Sequence, residues 1–137
     1  MTIEPFSKEA LSDISNLLTH LHKALVDQQF RMYEKAQGRI QHNGEKLQLL
    51  LSHQDFQWLR PLSTIIASFD DQIAEKEMDS TQIKHYLKEM EVLLFSNQNK
   101  SFSLSYQPYE AQTPDVILLH QALKKSITEI SKSHLDS

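Results

Sequence analysis

The chain has 137 residues and a formal charge of −4 from 14 basic and 18 acidic side chains. It contains no cysteine, two glycines and four prolines, where average usage of the last two types would give roughly 16. A β-sandwich or barrel of this length needs far more turn residues than that, a disulfide framework or a cysteine-based metal site has no ligands, and a net negative charge gives no basis for holding a phosphate backbone.

With 19 leucines, 13 glutamines and only three valines, the composition favours helix over pleated sheet. Ser7 can cap a first helix whose apolar positions recur at Leu11, Ile14, Leu18, Leu21, Leu25 and Met32, a spacing that is helical. Nothing interrupts it before Gly38, so the pattern predicts about 30 residues and roughly 45 Å of helix. Val26, Phe30 and Tyr33 form a second stripe in its C-terminal half, which calls for cover on two sides there. After His42-Asn43-Gly44, a short helix from Glu45 to Ser52 carries Leu47, Leu50 and Leu51.

A corner is expected at Pro61, where proline suits the first position of a new helix. From there Leu62, Ile65, Ile66, Phe69 and Ile73 repeat at helical spacing. Asp79-Ser80-Thr81-Gln82 has the form of a capping box ahead of Ile83, Leu87, Met90 and Leu94. Residues 98–112 depart from this grammar: Phe102, Leu104 and Tyr106 alternate with serines, a period of two that predicts an extended connector. Thr113-Pro114-Asp115 then starts a last helix through Val116, Leu119, Leu123, Ile127 and Ile130. The expected fold is all-α, residues 1–137 forming a single domain: an antiparallel four-helix bundle with a long first helix, an extra short helix and an extended 98–112 connector.

With glycine only at 38 and 44, the chain has no Walker loop, no glycine-rich dinucleotide loop and no nucleophile elbow. It also lacks a zinc helix of the His-Glu-x-x-His type and the Glu-x-x-His pairs of di-iron bundles, and no cofactor is expected. His22 borders the apolar stripe of the first helix and His120 lies on that of the last. Both read first as part-buried histidines bonded to a neighbour, and alternatively as metal ligands. His85 and Glu89, four apart, read as a solvated pair. Phe56, Trp58 and Arg60 stand together at the corner: an aromatic wall with a guanidinium clamp for an anion, or core aromatics beside a salt bridge to Asp55, Asp70 or Asp71.

Leu21-His22-Lys23-Ala24-Leu25, the leucine-rich short helix and Phe56-Gln57-Trp58-Leu59-Arg60-Pro61-Leu62-Ser63 together resemble an uncharacterised family of small bacterial helical proteins. The resemblance covers about the first half of the chain and implies a helical fold, with no activity, cofactor or partner attached to it.

The opening Met1-Thr2-Ile3-Glu4-Pro5 lacks the basic and apolar regions of a secretory signal, and the longest leucine run, Leu49 to Leu51, falls far short of a membrane span. A cytoplasmic location without membrane or nucleic-acid contact is therefore expected. The leading functional expectation is a non-enzymatic bundle acting through protein contacts, with Phe102, Leu104 and Tyr106 as an edge that pairs with a partner or a second copy. The alternative is a small-ligand or metal-binding bundle using His22 and His120 or a Trp58 and Arg60 pocket.

Overall fold

A computed structural model describes residues 6–135, with the side chains of 133–135 excepted, so the Met1–Pro5 opening lies outside the described residues. The described residues are all-helical and contain no strand: α1 (Lys8–Gln37), α2 (Asn43–Ser52), a 3-10 turn (Gln54–Leu59), α3 (Arg60–Ala74), α4 (Ser80–Phe95), α5 (Lys100–Gln112) and α6 (Pro114–Leu135). No described helix is long and apolar enough to cross a membrane.

α1 organises the rest. Ser7 accepts the Ala10 N–H at its start, and at its end Gly38 takes a φ of 94° while its N–H returns to the Glu34 carbonyl. That left-handed value suits glycine, which has no Cβ to clash. Leu11, Ile14, Leu18, Leu21 and Leu25 are fully or almost fully buried, each such side chain contributing about 1.5–3 kcal/mol by leaving water. Beyond Leu25 the buried face passes to Val26 and Phe30, as the second stripe predicts. Met32, expected to continue the first stripe, is instead 53% exposed. Here the 3-10 turn covers α1 and claims the Phe30 face: the Phe30 and Phe56 ring centroids are 4.7 Å apart.

α1 packs on α3 and α6, α4 packs on the same two helices, and α5 lies against α6, α4 and the 3-10 turn. Ser15 donates to Asp70, the Lys8 ammonium to the Glu75 carbonyl and the Trp58 indole to Gln29. Between α4 and α6, Ser131 donates to Glu91, while Phe95 sets its ring edge-on to His120 at 5.0 Å. The corner at Pro61 is present, proline falling in the first turn of α3 where its missing N–H has no helical acceptor to serve. α2 has no buried residue and rests on the 3-10 turn.

The extended 98–112 connector is not found. Lys100–Gln112 is a helix, capped by Asn99, whose side chain accepts the Phe102 N–H at 3.1 Å. An isolated strand would leave its backbone groups unpaired, whereas a helix closes them internally. The same three residues also obey a helical pattern. Phe102 and Tyr106, four apart, share the buried face at 1% and 2% exposure, while Leu104 on the far side is 74% exposed. Ser103 is buried as well, donating to the Ser96 carbonyl and tying α5 to the end of α4.

Replacing Asn99 by alanine should therefore lower the unfolding free energy by about 1 kcal/mol, as cap removal does. Phe102→Ala should cost about 3–5 kcal/mol, both read from urea denaturation. An unchanged stability in Asn99→Ala would contradict the helical start of α5.

Candidate functional site

Two groups of side chains meet on either side of α5. The first is a cleft between α1, the 3-10 turn and α5, enclosing about 660 Å³. Trp58 stacks on Tyr109, with planes 8° apart and centroids 5.9 Å apart, and its other neighbour is Phe102 at 5.5 Å. The indole N–H donates to Gln29 Oε1 at 2.9 Å, so the ring is fixed by a hydrogen bond as well as by packing. Met32, Leu104 and Pro108 supply the apolar rim, and Gln28, Gln54 and Gln112 add neutral amides beside one carboxylate, that of Asp55. Pro108 sits inside α5 and has no N–H to donate to the Leu104 carbonyl four residues back. That acceptor therefore lacks its helical partner at the rim.

The residues expected to form one wall at the corner separate. Phe56 is buried, packing against Phe30, Tyr33 and His53, so it belongs to the core beneath the cleft. Trp58 is half-buried and lines the cleft. Arg60 is exposed, and its Nη2 donates to the Leu51 carbonyl at 3.3 Å. It thereby ties the last turn of α2 to the start of α3, and makes no ion pair with Asp55, Asp70 or Asp71. Asp55 lies instead 3.6 Å from His53 Nδ1.

The second group joins α5 to α6. Tyr106 Oη and His120 Nδ1 are 2.8 Å apart, and His120 Nε2 is 3.7 Å from Glu110 Oε1. Burial, reinforced by the Glu110 carboxylate, holds the Tyr106 phenol above its ordinary value, so it stays protonated and donates. His120 Nδ1 is then the acceptor, and the ring proton sits on Nε2, facing Glu110. Burial keeps His120 below the ordinary imidazole value; Glu110 opposes that and Lys124 adds to it. With Tyr106 closed off from solvent, this chain of groups clasps α5 to α6.

His22 is half-buried on α1, and burial lowers its pKa too. It makes no hydrogen bond, ion pair or ring contact with His120 among the described residues. Nor do any three His, Asp or Glu side chains there converge as a metal ion requires. His85 and Glu89 are an exposed pair, Nε2 to Oε1 at 3.0 Å. Of the three residues expected on one edge, Phe102 and Tyr106 are core and only Leu104 reaches the cleft rim.

Sequence reasoning missed Tyr109, Met32 and Gln29 at the cleft. Tyr109 had a signal: with Phe102 and Tyr106 it completes an i, i+4, i+7 series. Comparison with family models, with curated proteins and with solved structures returns no match.

Because both lowered histidines favour the neutral form in the folded chain, the unfolded state binds more protons on acidification. Stability should be fully present at neutral pH and fall as the pH drops below about 6.5. In His120→Asn, which keeps an acceptor for Tyr106, the loss between pH 7.5 and pH 5 measured by urea midpoints should shrink. An undiminished loss would remove His120 from the account. Arg60→Met should cost under about 1 kcal/mol, since it breaks one exposed hydrogen bond, rather than the 3–5 kcal/mol of an orphaned buried charge.

Proposed function

We propose that this chain is a non-enzymatic helical-bundle protein of the cytoplasm that works by contact with another polypeptide, and that the Trp58–Tyr109 cleft is its contact surface. The observation that carries this reading is the exposure of Leu104 and Met32, at 74% and 53%, on the rim of the same cleft. Large apolar side chains held in water beside a fixed aromatic pair mark a surface that gains by being covered. The neutral amides around them provide donors and acceptors for a partner's main chain at little desolvation cost.

In the same reading α1, α3, α4 and α6 make an antiparallel four-helix bundle. Two features support it: α1 and α4 each pack on both α3 and α6, and the α1 positions 8, 15 and 29 meet 75, 70 and 58 in descending order. Such a bundle gives α5 and the 3-10 turn a rigid base from which to present the cleft.

A photo-crosslinking side chain at position 104 should give a discrete adduct with a second polypeptide in the cells that make the protein, and the same probe at Thr64, exposed on α3, should give none. Met32→Glu, a change at an exposed position that leaves the core intact, should suppress the adduct. Equal labelling from both positions, or labelling indifferent to Met32→Glu, would overturn the assignment; an adduct with another copy of the chain would identify the partner as itself.

A further inference from the structure

On the other side of the molecule, α4 and α6 enclose a groove of about 500 Å³. Lys124, Thr128 and Lys132 follow at four-residue intervals on α6 and so share one face, opposite Lys88 of α4. Three of the chain's eleven lysines thus line one groove of a protein whose overall charge is −4. Glu91 is the one carboxylate among the lining residues, and it is already engaged, lying 4.0 Å from the Lys88 ammonium and accepting from Ser131 Oγ at 3.3 Å. Among the described residues neither Lys124 nor Lys132 has an ion-pair partner, so no described carboxylate answers either charge.

The floor is different in character. Phe95 and Val92 line it from α4, and Phe95 is held edge-on against His120. Cations at the rim above an aromatic floor suit a ligand that is charged at one end and apolar at the other. Two like charges eight residues apart on one helix stand about 12 Å apart along its axis, and flexible lysine stems allow both ammoniums to turn toward one anion.

We propose that the α4–α6 groove binds a small anionic molecule, a phosphate or carboxylate joined to an apolar group, through Lys124 and Lys132 with the apolar group over Phe95. This is independent of the polypeptide contact at the Trp58 cleft. Lys124 also acts on His120, depressing its basicity, and an anion bound beside Lys124 offsets that field and moves the His120 titration to higher pH.

Phenyl phosphate is the probe, titrated into the full-length protein and followed by backbone amide and imidazole resonances. Shifts should concentrate on residues 88–98 and 124–132, and inorganic phosphate alone should bind more weakly because it leaves Phe95 uncovered. Lys124→Gln and Lys132→Gln should each weaken binding about fivefold. Glutamine keeps the helix propensity, and an unchanged thermal transition will confirm that these variants fold. Lys23→Gln on α1 should leave binding as it was. The His120 titration should rise on binding in the parent and rise less in Lys124→Gln. Affinity should fall from low salt to about 0.3 M as screening sets in. Binding equal in the double variant, binding indifferent to salt, or attachment to anionic vesicles without any phenyl phosphate response would each overturn the proposal.

Discussion

A backbone that cannot leave its N–H and C=O groups unpaired is the constraint from which the rest of this structure follows. With two glycines and four prolines in 137 residues, the chain has few places to turn, and the described residues contain no strand. Its hydrogen bonds therefore close within helices almost everywhere. α5 shows the constraint acting on a segment whose pattern is ambiguous. Phe102, Leu104 and Tyr106 fit a strand face on alternation alone, yet a strand at 98–112 has no ladder, whereas a helix started by Asn99 satisfies the backbone and buries two of the three side chains.

The helical solution determines what the surface offers. Turning Phe102 and Tyr106 inward sends Leu104 outward, and Pro108 removes a hydrogen bond from its carbonyl. Trp58 comes from a different element, fixed by Gln29 of α1, and meets Tyr109 in a stack. The cleft is thus a product of three segments, each positioned for its own packing reasons. The Tyr106, His120 and Glu110 clasp keeps α5 seated on α6, and through Phe95 it adjoins the cationic groove between α4 and α6.

The long reach of α1 lets both surfaces share one core. Its first half buries a stripe between α3 and α6, and its second half turns a different face to the 3-10 turn. The shift from Leu25 to Val26 and Phe30 leaves Met32 facing out beside the cleft. A helix with one continuous stripe would have buried that methionine and reduced the exposed apolar rim to Leu104 and Pro108.

The sequence by itself determined the helical class, the span of α1 from its Ser7 cap to Gly38, the corner at Pro61, the cap of α4 by Asp79, whose side chain accepts the Thr81 and Gln82 N–H groups, and the proline start of α6. Each rests on short-range chemistry: a capping side chain, a missing N–H, a glycine at positive φ, or apolar spacing along one element. Only the tertiary structure decided that residues 100–112 coil, because the choice between a period of two and a spacing of four depends on whether a partner strand exists. It likewise decided that Phe56 goes to the core, Trp58 to a cleft and Arg60 to the Leu51 carbonyl, although the three stand within five residues. Their directions follow from the tight 3-10 turn and the helices it meets. Tyr109, Gln29 and Lys124 acquire their places in the same way, from contacts between segments far apart in the chain, which no local spacing encodes.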